Sequence, residues 1–496
     1  MNHFYLTTPI YYLNGEAHLG HAYTTVQADI IARFQRLLGK EVFFLTGSDE
    51  HGQKIAEAAK KASLEPQTLV DNLAKNFQDL WQNFDISYDY FIRTTNLEHK
   101  AFIQEIWKKM EAKGYLYLGN YSGWYSVRDE AFYSEEDLID GKAPTGGPVE
   151  WLTNPSYFFK LSTFQEKLLA FYEANPDFVI PKSRFNEVQS FVKSGLRDLS
   201  VSRLGLTWGI EVPSAPDHTI YVWLDALFNY LSGVKINHKE NYWPCDLHLV
   251  GKDILIFHAV YWPAFLMSLD LPLPKQILAH GWWTNEGEKM SKSLGNVLDP
   301  RLLLEKYGRD YLTYFLVREI PLGQDGNFSD QALINRVKGE LINNIGNLVQ
   351  RVASLASKEM SNIIAENPDE SEELIIKAYK NSELFFQFFN QYKFSEAIKI
   401  LLEIGQEANG YMEKRAPWQE KKTDRKSMEK TLCNLLEVIR ILGILLQPII
   451  PEGARKILAI FGYQEEKCFS NLITNKIQKG EQILPPGQIF KPLDFS

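Results

Sequence analysis

The stretch Pro9–Tyr23, PIYYLNGEAHLGHAY, decides the fold. Before it, Phe4 to Thr8 is short, aromatic and threonine-rich, which predicts a strand. Asn14-Gly15 marks a turn, and His18-Leu19-Gly20-His21 opens a helix. Val26, Ile30, Phe34 and Leu37 then recur at helical spacing, and Gly39 supplies a C-terminal stop. Two imidazoles therefore fall at a helix N-terminus, where backbone N–H groups and the helix dipole favour an anion. Gly20 between them lets a bulky ligand approach the backbone. A nucleoside triphosphate suits such a place, and a pair of capping or packed histidines is the plainer alternative.

Outward from this unit, VFFLT (42–46) reads as a second strand. Strand, helix and strand in that order predict a parallel sheet with a right-handed crossover. The second strand runs into Gly47-Ser48-Asp49-Glu50-His51-Gly52, at the carboxyl edge where such sheets bind ligands. No GxGxxG and no GxxxxGK[ST] occurs, which removes dinucleotide dehydrogenases and P-loop NTPases. From about Tyr115 to Pro216 the texture turns aromatic and loop-rich, with GKAPTGGP at 141–148, and this predicts an insertion. The sheet is expected to resume with IYVWLDALFNYL (220–231), HLVGKD (248–253) and a short strand near Gln276 to Ala279. Beyond about Asp330, apolar-periodic segments run from Ala332 to Leu355, Glu372 to Phe389, Phe394 to Met412, Met428 to Leu446 and Pro451 to Phe461. They predict a helical bundle, with an extended tail from Gly480 folding back.

Composition bounds the function. At 496 residues with 45% hydrophobic content the chain can bury a large core in several domains. Three cysteines, Cys245, Cys433 and Cys468, have no CxxC spacing, so neither a disulfide framework nor a thiolate zinc site is expected. A reducing, cytoplasmic home fits, and the N-terminus has the make-up of neither a signal nor a transit peptide. The apolar run from Ile254 to Leu271 is broken by His258, Pro263 and Asp270, so it reads as a buried helix and not a membrane span. The net charge of −9 confines any nucleic-acid contact to a local basic face.

Far downstream lies GEKMSKSLGN, with Lys289 and Lys292 flanking Met290-Ser291. The pair HLGH and KMSKS resembles the two signatures of class I aminoacyl-tRNA synthetases, and the flanking residues resemble the methionyl branch over nearly the whole chain. The resemblance implies an α/β Rossmann-like parallel-sheet catalytic domain with an inserted connective domain, followed by an α-helical anticodon-binding bundle. The segments would be 1–115 and 217–280 for the two halves of the catalytic domain and 116–216 for the insertion. Residues 281–331 would hold the KMSKS loop and stem-contact region, and 332–496 the helical domain and tail. The implied reaction joins L-methionine to ATP as methionyl-adenylate with release of pyrophosphate, then passes methionine to the 3′-terminal adenosine of tRNA(Met), initiator and elongator.

The chemistry needs no base, because the attacking carboxylate is already ionised. It needs positioning and positive charge where the pentavalent phosphoryl group develops. The resemblance assigns that to His18, His21, Lys289 and Lys292. It adds Gly20, Gly251, Asp253, His280 and Gly281 around ATP, with Asp253 facing the ribose and Mg²⁺ accompanying the triphosphate. Around methionine it places Ile10, Tyr12, Trp223, Ala226, Leu227, Tyr230, Ile254 and His258, with Asp49 holding the ammonium. Trp223, Ala226, Leu227 and Tyr230 fall at i, i+3, i+4 and i+7, one face of a helix, a pattern ordinary core also produces.

Many relatives carry zinc-knuckle cysteines in the insertion. Here GWYSVRDEAFY (123–133) has Ser126 and Asp129 at those places, so no zinc is expected. The insertion should still guide the tRNA acceptor end, with Arg203 as a contact. In the helical half, Asn347 and Arg351 of NLVQR and Trp418 of APW match the family's anticodon readers, Trp418 as a stacking platform. Without a further oligonucleotide-binding barrel a monomer is expected, and no membrane partner. The competing readings are a HIGH-type adenylyltransferase acting on a small acid without RNA and a non-catalytic tRNA-binding derivative. The intact His18, His21, Lys289 and Lys292 and the long helical half weigh against them.

Overall fold

The computed structural model describes residues 2–128, 131–133, 135–285, 288–289, 297–464 and 467–493, with backbone only at 121–122, 131–132, 152–154 and 288–289. The chain forms two compact units. One comprises His3–Ala17 and Val42–His280, and the other Met1–Asn2, His18–Glu41 and Gly281–Ser496.

The first unit holds a six-stranded sheet. Its strands are β1 (His3–Tyr12), β2 (Glu41–Asp49), β3 (Tyr90–Arg93), β4 (Val179–Ile180), β5 (Leu247–Gly251) and β6 (Ile277–His280). Their spatial order is β3-β2-β1-β5-β6-β4, and the β1–β5, β5–β6, β6–β4 and β2–β3 pairs are parallel. The strands are near-continuous apolar runs because both faces are covered, as parallel sheets require. Strand β1 continues through Pro9 to Tyr12, past the Thr8 end that the sequence suggests. Its ladder with β5 covers Leu6 and Thr7, and Pro9 lies beyond it.

A second, antiparallel sheet forms much of the insertion: Ala131–Tyr133, Leu116–Ser126, Glu150–Phe159 and Leu199–Ser200 in that spatial order. The insertion is not wholly separate from the parallel sheet, since β4 comes from inside it. The stretch 220–231 also differs from expectation. It does not rejoin the sheet: Ala215–Ile220 pairs antiparallel with Ser202–Leu204, and Val222–Leu227 and Asn229–Ile236 are helices. The apolar segment after Gly251 is a 3₁₀ turn (Lys252–Ile254), a π-helical turn (Phe257–Tyr261) and an α-helix (Trp262–Ser268).

In the second unit, α1 (Leu19–Leu37) ends as the sequence predicts. Gly39 sits at φ +83° and its N–H donates to the Arg36 carbonyl at 2.8 Å. The helical half begins with Asp330–Arg336, passes through a π-helical stretch, Val337–Gly346, and continues as α2 (Asn347–Glu359). Then follow α3 (Glu373–Asn390), α4 (Phe394–Arg415), α5 (Pro417–Thr423), α6 (Arg425–Leu446) and α7 (Pro451–Ala459). The tail folds back. The Phe490 ring would touch a Cβ at either Gly346 or Gly453 at 2.8 Å, and the Tyr311 hydroxyl donates to the Lys491 carbonyl at 2.7 Å.

Candidate active site

In the first unit the carboxyl ends of four parallel strands gather the predicted residues. Strand β1 ends at Tyr12, two residues after Ile10, β2 at Asp49, β5 at Gly251 and β6 at His280. Gly251 and His280 are register partners. A Cβ at Gly251 would lie 2.6 Å from Asp253 Oδ1 and 3.7 Å from the His280 ring. The glycine is there so that Asp253 can fold over the strand end.

The methionine set is assembled around His258, which sits in the π-helical turn. Its Nδ1–H donates to the Ile254 carbonyl at 2.9 Å, so Nε2 is the acceptor and the Tyr230 hydroxyl donates to it at 2.7 Å. Burial pushes this imidazole down to about 4, against the opposing pull of the Ile254 carbonyl and Asp253. The ring is therefore neutral at physiological pH. Beneath it, His248 accepts from Trp262 Nε1–H at 3.3 Å and donates to Thr7 Oγ1 at 2.7 Å, and burial holds it well below its ordinary value. Trp223 stands edge-on to His258 at 6.3 Å and stacks on Phe257 at 3.7 Å. Ile10, Trp223, Leu227, Tyr230 and Ile254 join one apolar cluster, and Ala226 is buried. The expectation of one continuous helical face fails at Phe228, where one short helix ends and the next begins. The Ala226 carbonyl accepts from Asn229 Nδ2–H across that junction. What results is a buried cluster of neutral and aromatic side chains, an environment suited to a polarizable, uncharged group.

Sequence reading missed what fixes the loop after β2. Glu50 is fully buried and receives Arg93 in bidentate fashion, Nε at 2.6 Å from Oε1 and Nη2 at 2.9 Å from Oε2, with further bonds from Ser48 and Thr95. Its backbone N–H donates to Thr94 Oγ1 at 3.0 Å. Asp49 itself is 8% exposed, and its carbonyl accepts from Leu13 N–H at 3.1 Å. Two residues on, His51 Nδ1 lies 2.7 Å from Asp225 Oδ2, while His99 Nε2 lies 2.7 Å from Oδ1. Burial would raise the Asp225 carboxyl, but the His51 and His99 rings outweigh it and hold it at about 2. The signal was present as charged residues inside apolar runs, Asp225 in VWLDAL above all.

The second unit carries both signature motifs. His18 is the N-cap of α1: its Nδ1 accepts from Gly20 N–H at 3.1 Å, while His21 Nδ1 accepts from His18 N–H at 3.2 Å. The rings stack at 3.8 Å. The capping alternative is thus realised, and it has a chemical consequence. With both Nδ1 atoms accepting, the proton of each neutral ring sits on Nε2, which makes each ring a hydrogen-bond donor. What approaches Gly20 closely is the His18 ring, 2.9 Å from where a Cβ would be. Leu19 N–H donates to the Leu298 carbonyl at 3.1 Å, so the chain leaving the KMSKS segment is bonded to the start of this helix. Lys289 lies in a two-residue strand paired with Thr284, and Lys292 lies outside the described residues. Gly281 is required by close packing: a Cβ there would be 2.0 Å from the Gln324 carbonyl oxygen.

In the helical half the Arg351 guanidinium lies 5.6 Å from the Trp418 ring centroid and pairs with Glu413 at 2.6 Å. Asn347, one turn earlier on α2, is exposed. Ala416 joins α4 to α5 in the left-handed region, φ 45°, which wedges Trp418 against Arg351. In the insertion Arg203 lies 4.3 Å from the Tyr221 ring centroid. Ser126 is buried, its hydroxyl 2.9 Å from where a Cβ at Gly147 would stand, while Asp129 lies outside the described residues. Among the described residues no group of three or more His, Cys, Asp or Glu side chains is placed to hold a metal, and no helix is long and apolar enough to cross a membrane.

A parallel sheet with the predicted site residues at its carboxyl ends, HLGH capping a helix and KMSKS following the sheet in sequence together point to a class I aminoacyl-tRNA synthetase. Comparison with known proteins agrees. The family profile "tRNA synthetases class I (M)" matches residues 4–150 and 133–353, and "Anticodon binding domain of methionyl tRNA ligase" matches 365–494. The chain is 50% identical to a methionine–tRNA ligase of Rickettsia felis, over 99% of its own length and 98% of the relative's. It is 44% identical to one of Mycobacterium bovis, over 99% and 98%. The solved structure of Mycobacterium tuberculosis methionyl-tRNA synthetase in complex with methionyl-adenylate superposes with a TM-score of 0.94 at 44% identity, covering 99% of this chain and all of that one. The chain belongs to the methionyl-tRNA synthetase family of class I.

Proposed function

We propose that the chain activates L-methionine with ATP, releasing pyrophosphate, and transfers the methionyl group to the 3′-terminal adenosine of initiator and elongator tRNA(Met). The observation that carries the amino-acid choice is the His258–Tyr230 pair, a neutral ring and an orientable hydroxyl inside an aromatic slot. The burial of this pair makes desolvation of a charged side chain costly there. Asp49 takes the ammonium, and Ile10, Tyr12, Trp223, Ala226, Leu227 and Ile254 complete the walls.

In activation the methionine carboxylate oxygen attacks the α-phosphorus, and the bond to pyrophosphate breaks. His18 and His21 donate through Nε2–H to phosphate oxygens, and Lys289 and Lys292 supply charge from the loop, interactions that strengthen as the pentavalent centre forms. Asp253 accepts from the ribose, while Gly20, Gly251, His280 and Gly281 shape the nucleotide site. Mg²⁺ arrives with the triphosphate. The insertion takes the acceptor end, with Arg203 among its contacts, and uses no zinc thiolate site. Arg351 and Trp418, with Asn347, read the anticodon from the helical domain, and the enzyme works as a cytoplasmic monomer. A small-acid adenylyltransferase would have no use for that helical half. The test is charging of unfractionated tRNA with labelled methionine, followed by identification of the charged species. Labelling confined to methionine-accepting tRNAs is expected, and absence of labelled RNA overturns the proposal.

A further inference from the structure

His258 is carried by a stretch of backbone that needs support of its own. It lies in the π-helical turn Phe257–Tyr261, where Trp262 N–H bonds back five residues to the Phe257 carbonyl. Turns of this kind are rare and recur at functional sites. A proline makes this one dependent on its surroundings. In an α-helix the Ala259 carbonyl would take the N–H of residue 263, but that residue is Pro263, which has none to give. Ala259 is fully buried, and a buried carbonyl is costly without a donor. The Tyr172 hydroxyl donates to it at 2.6 Å.

Tyr172 comes from the insertion, 87 residues earlier, on the helix Gln165–Ala174. Its ring is buried and seated without help from the hydroxyl. Phe178 stacks on it at 6.1 Å, and Phe185 meets it edge-on at 5.8 Å. Phe178 directly precedes β4, and its carbonyl accepts from Ile277 N–H at 2.7 Å, which ties the ring's seat to the parallel sheet. Burial pushes the Tyr172 hydroxyl well above its ordinary value, so it stays protonated and donates. The ring packs, and the hydroxyl reaches across to the turn.

His258 immediately precedes Ala259. Its ring is held at both nitrogens, by the Ile254 carbonyl at 2.9 Å and the Tyr230 hydroxyl at 2.7 Å. A backbone shift of about 1 Å at 258–259 would carry either contact beyond hydrogen-bond range. We infer that Tyr172 is a positioning residue for methionine: its hydroxyl fixes the Ala259 carbonyl and, through that turn, the His258 ring. The inference rests on the reading of His258 as a methionine residue above. A site of this kind needs supporting contacts that lock the residues touching the substrate. Here the insertion provides one of them to the catalytic sheet.

The test is Tyr172→Phe, which keeps the seated ring and removes the donor. It is read by methionine-dependent ATP–pyrophosphate exchange, with the active fraction of each protein calibrated by its burst of methionyl-adenylate. The KM for methionine is expected to rise about fivefold, as one lost hydrogen bond allows, with the KM for ATP within about twofold of wild type. The effect should pass through His258, so adding Tyr172→Phe to His258→Gln should move the methionine KM by less than about twofold further. A tie that served stability alone would lower the urea midpoint and leave both KM values in place. That result, a matched rise in both KM values, or a full further rise in the His258→Gln background overturns the inference. His258→Gln with an unchanged methionine KM would instead sink the reading of the site on which it rests.

Discussion

Replacing Arg93 by methionine should damage the protein at one carboxylate. Glu50 is fully buried, and Arg93 supplies two of its charge-assisted hydrogen bonds, at 2.6 and 2.9 Å, from a side chain 30% exposed. Methionine keeps most of the aliphatic stem and removes the guanidinium. The remaining donors, Ser48 and Thr95, are neutral hydroxyls, so an uncompensated charge stays in the interior at a cost of roughly 3–5 kcal/mol. Arg93 also bonds Asp71 at 2.6 Å, but that carboxylate is half exposed and its loss adds little. Urea unfolding followed through fluorescence of buried Trp81 and Trp107, both in the same unit, should report the loss. Lysine at 93 should recover part of it, since it restores charge but not the fork. The double variant Glu50→Gln, Arg93→Met should be more stable than Arg93→Met alone by more than about 1 kcal/mol, because the buried charge is gone. Because Glu50 adjoins Asp49, the KM for methionine should rise as well. An Arg93→Met protein within about 0.5 kcal/mol of wild type would refute the buried-charge argument.

Three further outcomes follow. Tyr230→Phe removes the donor to His258 Nε2, and a lost buried bond of about 1.4 kcal/mol should raise the KM for methionine about tenfold with little change in KM for ATP, read by pyrophosphate exchange. His258 titrates near 4 in the fold and near 6.5 when unfolded. The unfolded chain therefore binds the extra proton in that window, and stability present above pH 6.5 is lost as pH falls towards 4, by roughly 3 kcal/mol; His258→Gln should flatten that part of a urea-midpoint profile, and an unchanged slope would contradict it. Trp418→Ala removes the surface facing Arg351 and should raise the KM for tRNA(Met) in charging by about 5- to 150-fold, the equivalent of roughly 1–3 kcal/mol, measured against pyrophosphate exchange as the internal reference.

The outline of the fold was legible because its signals are local. The strand–turn–helix around Asn14-Gly15, the Gly39 stop and the apolar periodicities of α3, α4 and α6 each lie within one element. The misreadings share a cause. The strand read from Phe4 to Thr8 runs on to Tyr12, past a proline that has no N–H to give a ladder. Val222–Ile236 carries the residue types of a buried strand or one helix, and the break at Phe228 follows from packing. The two residues of β4 are too few for any pattern. The site divides the same way. HLGH and KMSKS are contiguous motifs, whereas Arg93 lies 43 residues from Glu50 and His99 lies 126 from Asp225. Those partners meet because sheet register and helix packing bring them together, which sequence spacing alone does not encode.

The most direct measurement is ATP–pyrophosphate exchange without tRNA, each standard amino acid supplied separately, on the wild type and on Lys292→Ala. Exchange with methionine alone, lost in the variant, is the predicted result. Exchange driven by a different amino acid, or by none, would contradict the reading of the His258–Tyr230 slot as a methionine site.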